Sequence, residues 1–569
     1  MSGQQRIENQ PLLAIEDLAV AFSTRRGTVE AVRGISLSVT KGEILGIVGE
    51  SGSGKSVTAF SIMRLLDRAG RITRGSIRFR GQEITKLGAS DLRSLRGAAL
   101  SMIFQNPRAS LNPIRPVGDQ ISDALRAHRE MTKPEARARA LELLKAVLIR
   151  EPEKRLDAYP HELSGGMCQR IMMAMAMACE PDLLIADEPT TGLDVTTQKT
   201  VMDQLASLVR ERGMAMILIT HDLGLASQYC DRVAVMEQGL VVETATPKIL
   251  FGAPKHAYTK RLVAASPTPT STVSSLSPDN PTTGVSPAII AGTQALTPIK
   301  PAAAPLLSVA NLVKRFDGGI AAVDGVSFDI AAGESLGLVG ESGSGKSTIS
   351  RIVCRLIDPT SGTIQFGETD IGRISARGFH KVPERAAIQI VFQDPGDSLN
   401  PRFSALDSIA DPLRRLCGLS DTREIRARAL DCAARCGLPS DLIDRFPHQL
   451  SGGQRARVGI ARAIAAKPKL LILDEPTAAL DVSVQAVILQ LLDKLRREEG
   501  MAYLFVSHDL NVIRMMCERT IVLKEGRIVE QGPSQQLFTN PTADYTRSLI
   551  AAIPHFDPGK TPDQVSLKP

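Results

Sequence analysis

No stretch of this sequence has the uninterrupted run of about 18 to 20 apolar residues that a spanning helix requires. The richest window, Ile171 to Ala186, is broken by Glu180, Pro181 and Asp182. The opening residues MSGQQRIENQPLL lack the charged-then-apolar order of a secretory signal. These absences predict a protein that stays on the cytoplasmic side and does not cross the bilayer by itself. The eight cysteines form no paired framework, so in a reducing compartment they read as core thiols. Cys432 and Cys436 stand four apart in a helical pattern without a matching pair, which predicts packing rather than a metal cluster. A net charge of +7 over 569 residues is a mild excess that names no polyanionic partner.

Cores stop growing near about 250 to 300 residues, so a chain of this length implies two large domains. With 43% apolar and 23% charged residues, both can be globular.

The sequence then repeats itself. GIVGESGSGKSVT (Gly46 to Thr58) returns as GLVGESGSGKSTI (Gly337 to Ile349), and SLNP at Ser110 returns at Ser398. HELSGG at His161 returns as HQLSGG at His448, ADEPTTGLDV as LDEPTAALDV, and THDL as SHDL. The interval is 291 residues between Gly49 and Gly340, 288 between Gln105 and Gln393, and 287 from Ser164 and Ser451 onward. The halves are one kind of domain differing by a few loop residues. This predicts domains at 1–265 and 306–553, with a loose tail at 554–569. Between them, 266–305 is rich in Ser, Thr and Pro, a composition that buries too little to fold. As a flexible linker it would span roughly 35 Å.

In each half an apolar strand, EILGIVG or ESLGLVG, runs into a glycine-rich loop and a helical pattern. That context gives G-x-x-x-x-G-K-S its meaning as a phosphate loop. Gly49, Gly52 and Gly54, with Glu50, Ser51 and Ser53 between them, let N–H groups close round phosphate oxygens at a helix N-terminus. Lys55 is placed to reach the phosphates and Ser56 to ligate Mg²⁺. Gly340, Glu341, Ser342, Gly343, Ser344, Gly345, Lys346 and Ser347 repeat the set.

PDLLIADEP and PKLLILDEP are apolar strands ending in two acids, which a parallel sheet would bring to the rim where such folds bind ligands. Asp187 and Asp474 are candidates for Mg²⁺, and Glu188 and Glu475 for polarising the attacking water. The turns at Ser164, Gly165, Gly166 and at Ser451, Gly452, Gly453 open helices and offer hydroxyl and N–H groups to an anion.

Phosphate loop, glutamine loop, signature, acidic strand end, aspartate loop and histidine loop stand in this order twice. The chain resembles ABC-transporter ATPase domains over about nine-tenths of its length. The resemblance implies an α/β fold with two tandem cassettes, each a mixed-sheet core with a helical subdomain. It further implies ATP and Mg²⁺ as ligands, and two ATP molecules held head to tail between the chain's own halves. One site would join Lys55, Ser56, Gln105, Asp187, Glu188 and His221 to Ser451 and Gly453. The other would join Lys346, Ser347, Gln393, Asp474, Glu475 and His508 to Ser164 and Gly166. Gln105 and Gln393 would help hold Mg²⁺ and sense both the nucleotide and the membrane subunits, and His221 and His508 would touch the γ-phosphate. Asp194 and Asp481 would signal across the interface. Phe22 and Phe316 are candidates to stack on adenine. Met167 and Cys168 replace Gln454 and Arg455 in the first signature, which suggests mild asymmetry between the sites.

QNPRASLNPI and QDPGDSLNPR, with the closing segments PKHAYTKRLV and PTADYTRSLI, look like the dipeptide and oligopeptide importer ATPases, a group with fused twin-cassette members. The implied partners are two membrane permease subunits and an extracytoplasmic solute-binding protein. Nucleic acid is not among them, and the implied location is peripheral, on the cytoplasmic face of the inner membrane. His256 keeps that group's closing histidine, and Ala543 departs from it. An exporter or lipid transporter is opposed by the same segments. The main alternative, a twin-cassette ATPase acting on ribosomes or DNA, would call for a basic helical linker or cysteine-rich inserts, which the sequence lacks.

Overall fold

The computed structural model describes residues 10–24, 27–276, 304–316, 319, 321–478 and 480–554. Two compact units result, the first built mainly from residues up to Val263 and the second from Ala264–Ile553.

In the first unit β1 (Leu13–Thr24), β2 (Gly27–Val39), β4 (Gly70–Phe79) and β5 (Gln82–Glu83) make an antiparallel sheet in the order β2-β1-β4-β5. The second sheet is built on β3 (Ile44–Val48), β6 (Leu100–Ile103), β7 (Leu183–Asp187), β8 (Ala215–Thr220), β9 (Arg232–Glu237) and β10 (Leu240–Ala245). Its order is β10-β9-β3-β8-β7-β6, parallel except for β10. Every residue of β3, β6, β7 and β8 is buried, as strands covered on both faces must be, and this explains their unbroken apolar sequences. Between the sheets lies one core, from Leu13 and Leu18 through Ile47 and Ile62 to Ile185 and Ile217.

The second unit repeats the plan. Its antiparallel sheet takes β11 (Leu307–Arg315), β12 (Ala321–Ile330), β14 (Ser361–Phe366) and β15 (Thr369–Asp370) in the order β12-β11-β14-β15. The mixed sheet combines β13 (Ser335–Val339), β16 (Ile388–Val391), β17 (Leu470–Asp474), β18 (Ala502–Val506), β19 (Arg519–Lys524) and β20 (Arg527–Pro533) in the order β16-β17-β18-β13-β19-β20.

The expected helical subdomain lies between the glutamine and the acidic strand in each unit. Helices Val117–His128 and Lys133–Ala146 pack with Gly165–Ala176, as Ala405–Arg415 and Thr422–Arg435 do with Gly452–Ile464. Their ends are fixed locally. Thr132 and Glu135 form a reciprocal capping box, and Ser404 and Asp421 cap the corresponding helices of the second unit.

The interdomain segment departs from expectation at its start. Residues 266–276 pack in the second unit, with Val273 and Leu276 only 6% and 2% exposed. Arg514 donates to the carbonyls of Thr268 and Ser271, each at 2.9 Å, and Gln490 to that of Leu276 at 2.7 Å. Composition predicted flexibility, but two apolar side chains and borrowed side-chain donors suffice to seat these residues. The remainder of that segment to residue 303, the first nine residues and the tail beyond 554 lie outside the described residues. Among the described residues no helix is long and apolar enough to cross a membrane. Cys432 and Cys436 are buried at the end of the helix Thr422–Arg435, and burial pushes both thiols above their ordinary range.

Candidate functional site

The loop leaving β3 can close only because glycine stands at its corners. Gly49, Gly52 and Gly54 have φ of 154°, 79° and 100°. A Cβ at Gly49 would sit 2.2 Å from the Met236 carbonyl oxygen, and one at Gly54 would sit 2.6 Å from that of Ala31. The loop after β13 repeats this, with Gly340 against the Leu523 carbonyl at 2.2 Å and Gly345 against that of Ala322 at 2.4 Å. Helices Lys55–Ile62 and Lys346–Val353 begin directly behind the loops.

Lys55 Nζ folds back on the loop, donating to the carbonyls of Gly49 at 2.7 Å and Glu50 at 2.9 Å. Lys346 does the same with Gly340 and Glu341 at 2.7 and 2.8 Å. Both lysines, each residue 7% exposed, thus sit at a glycine-rich loop and a helix N-terminus, a donor set suited to an anion of phosphate size.

The acidic strands end where the sequence predicts. Ser56 Oγ donates to Asp187 Oδ1 at 3.2 Å and Ser347 Oγ to Asp474 Oδ1 at 3.3 Å. A hydroxyl and a carboxylate in contact are the hard oxygen donors Mg²⁺ prefers, so these residues fit that ion. Burial pushes the Asp187 carboxyl up to about 6, with the neighbouring Glu188 charge adding to the rise, and it raises Asp474 likewise.

Glu188 and Glu475 follow in the left-handed region, at φ 47° and 48°. That region is uncommon for a non-glycine residue, and both copies occupy it, as Arg64 and Lys467 do elsewhere in the chain. Their N–H groups are held by the carbonyls of Ile219 and Val506, each at 2.9 Å. The carboxylate of Glu188 accepts from Gln105 Nε2 at 2.7 Å and Thr191 Oγ1 at 3.0 Å, and lies 3.2 Å from His221 Nδ1. Glu475 accepts from Gln393 Nε2 at 2.8 Å, with His508 Nδ1 at 3.3 Å. Burial disfavours both charges, but the histidine contacts outweigh it, so Glu188 is lowered to about 2 and Glu475 is lowered as well. The same contacts raise His221 and His508 against the opposing effect of burial.

The signature turns are helix caps. Ser164 Oγ accepts from Met167 N, and Ser451 Oγ from Gln454 N, each at 3.3 Å. Gln454 Oε1 returns a bond from Ser451 N at 2.9 Å, which Met167 has no acceptor to provide. Arg455 Nη1 donates to the Leu450 carbonyl at 3.2 Å. In the first half Cys168 occupies that position, yet Arg108, from the glutamine loop, donates to the Leu163 carbonyl at the same 3.2 Å. Gly396 is the counterpart of Arg108, and a Cβ there would lie 3.8 Å from Arg455 Nε. The arginine has changed places and kept its bond.

The proposed adenine platforms are unlike each other. Phe22 is half-buried at the edge of the core with its ring against Gly70, and Phe316 is 50% exposed with Lys314 Nζ 5.1 Å from its ring centre. Asp481 precedes helix Val482–Glu499 at its N-cap. Three contacting residues escaped the sequence reading: Thr191, which stands where the second half has Ala478, and the tyrosines Tyr258 and Tyr545 of the closing segments.

A family profile described as "ABC transporter" matches residues 32–191 and again 323–478. The chain belongs to the ABC transporter family. A second profile, "Oligopeptide/dipeptide transporter, C-terminal region", matches residues 242–284 and 529–568 of this twin-cassette ATPase, placing it with the dipeptide and oligopeptide importer ATPases. It is 44% identical to the peptidoglycan transport ATP-binding protein YejF of Agrobacterium fabrum, over 95% of this chain and 96% of that one. Glutathione import ATP-binding proteins GsiA of Pectobacterium atrosepticum and Escherichia coli K12 are each 43% identical. They cover 96% and 98% of this chain, and 90% and 92% of their own lengths is matched. This ABC ATPase binds and hydrolyses ATP, and it powers import.

Proposed function

We propose that the protein drives uptake of peptide-like solutes through two membrane permease subunits supplied by an extracytoplasmic solute-binding protein, while it rests on the cytoplasmic face of the inner membrane. The carrying observation is that each unit gathers its own Lys, Ser, Asp, Glu, Gln and His at one sheet rim, so both cassettes are equipped for turnover. Relatives named for glutathione and peptidoglycan transport, together with the oligopeptide-type closing region, support the solute class.

In this reading the loop N–H groups, Lys55 and Lys346 bind the β- and γ-phosphates of ATP. Ser56 with Asp187 and Gln105, and Ser347 with Asp474 and Gln393, hold Mg²⁺, which supplies charge neutralisation on those phosphates. Glu188 and Glu475, ionised at neutral pH, accept a hydrogen bond from the attacking water and orient it. His221 and His508, held by those carboxylates, present their other ring nitrogen to the γ-phosphate. Signature residues Ser164 to Gly166 and Ser451 to Gly453 complete the site of the opposite cassette, and Asp194 and Asp481 relay its state. Binding closes the sandwich and hydrolysis reopens it, so transport follows from the difference in ATP affinity between the two states.

The test is uptake of labelled di- and oligopeptides by cells carrying the wild type or the double variant Glu188→Gln, Glu475→Gln, with membrane fractionation alongside. Loss of uptake with the variant still membrane-bound is expected. Undiminished uptake, with the protein instead sedimenting with ribosomes or DNA, sinks the importer reading.

A further inference from the structure

Each closing segment returns to the phosphate loop of its own cassette. Tyr258, on helix Ala257–Ala265, accepts a hydrogen bond from the Glu50 N–H at 3.0 Å, and Tyr545, on helix Asp544–Ala551, accepts one from the Glu341 N–H at 3.3 Å. The peptide plane joining Gly49 to Glu50 is thus held at both ends. Its N–H points to the tyrosine hydroxyl, and its carbonyl accepts from Lys55 Nζ. The plane joining Gly340 to Glu341 is held likewise by Tyr545 and Lys346. Turning either plane would break the tyrosine bond and shift the lysine ammonium together.

The segments are themselves anchored. Glu243 accepts from the N–H groups of Lys255 and His256 at 2.9 and 3.0 Å, and Glu530 from those of Thr542 and Ala543 at 2.8 and 3.1 Å. Both rings lie under a cation, but the cations come from different places. In the first cassette Arg261 of the same helix lies 5.8 Å from the ring centre and is paired with Glu237. In the second, Lys524 at the equivalent of position 237 lies 4.9 Å from the ring, and Ser548 stands where Arg261 would be. Two sequence solutions reach one arrangement, which a passive packing ring would not require.

We propose that Tyr258 and Tyr545 are positioning residues of the two nucleotide sites, fixing the first peptide of the phosphate loop and through it the lysine, and so setting affinity for ATP. The proposal rests on the loops being ATP sites. The test uses the full chain and measures KM for ATP, kcat and thermal midpoint for Tyr258→Phe, Tyr545→Phe and the double change, with Tyr258→Leu to remove the ring as well. One hydrogen bond of this kind is expected to change KM by about 2- to 10-fold. The Phe variants should show that rise with kcat and midpoint nearly unchanged, and Tyr258→Phe the larger one because its bond is shorter and its ring buried. An unmoved KM in both Phe variants, or a loss of kcat and midpoint with KM unmoved, overturns the proposal. A Lys55→Ala, Lys346→Ala control separately tests the sites themselves: ATP turnover surviving in it would refute the site reading, whatever the tyrosine variants show.

Discussion

The exchanged arginines of the two signatures can be exchanged back. In the first cassette Arg108 reaches the Leu163 carbonyl from the glutamine loop, beside the fully buried Cys168, whose thiol donates to the Pro160 carbonyl. Arg108→Ala removes one hydrogen bond made by an exposed side chain, a cost of about 0.5–1.5 kcal/mol. Cys168→Arg alone forces a guanidinium into a filled space beside another guanidinium, and overpacking of that kind costs about 1–3 kcal/mol. With Arg108 removed, the new arginine can take the route of Arg455 and donate to Leu163, so the double variant should lie close to the wild type. Since 1 kcal/mol shifts the midpoint of a domain this size by roughly 2–4 °C, thermal denaturation of the full chain resolves the cycle. Each single change should lower the midpoint, and the double change should recover most of the loss, a coupling well outside the range of independent sites. A double variant as unstable as the two single losses together would refute the claim that these arginines do one job from two positions.

Two further outcomes follow from the site. Without metal and nucleotide, burial keeps the Asp187 proton on up to about 6, so the folded chain holds it at pH values where the unfolded chain has released it. Wild-type stability therefore falls, relative to Asp187→Asn, as pH rises from about 4 to about 6 and is level above. The asparagine variant should be the more stable at neutral pH by at most about 3 kcal/mol. Urea midpoints in EDTA at pH 5 and pH 8 check this, and a gap that does not widen between them refutes it. Gly54→Ala should damage the first loop more than Gly52→Ala. Both suffer left-handed strain of about 1–2 kcal/mol, but only the Gly54 Cβ meets a carbonyl oxygen at 2.6 Å, while at Gly52 nothing lies within 4 Å. Thermal midpoint and KM for ATP should rank the two, and equal effects would exclude the close approach as the cause.

What the sequence made legible was chemistry carried by short contiguous runs. The strand ILGIV, the glycine corners and Lys55 with Ser56 lie within thirteen residues, and their periodicity and turn chemistry place them without tertiary knowledge. Pairing Asp187 with Ser56 across 131 residues was also legible, because a parallel sheet brings its strand ends to one rim. Tyr258 and Glu50 are 208 residues apart, and no local rule says that a helix after the edge strand returns to the loop. Residues 266–276 misled for a related reason. Composition measures what a segment can bury by itself, whereas these carbonyls are satisfied by Arg514 and Gln490 from elsewhere in the chain.

Because the fold occurs twice in one polypeptide, each difference between the halves can be judged by whether the structure compensates it. Arg108 with Cys168 against Gly396 with Arg455, and Arg261 against Lys524, are compensated, so the bond to the signature carbonyl and the cation on the tyrosine ring persist though their donors moved. Two of the others among the described residues are not. Thr191 gives Glu188 a donor that Ala478 cannot give Glu475, and Gln454 closes a capping box that Met167 leaves half made. The first concerns the carboxylate proposed to orient the attacking water and the second a turn proposed to serve the opposite cassette. In the proposed head-to-tail sandwich both would favour the site built on Lys55 over the one built on Lys346. The asymmetry expected from Met167 and Cys168 would then rest, in the proposed sandwich, on Gln454 against Met167 and on Thr191 against Ala478, since Arg108 supplies the bond that Cys168 cannot.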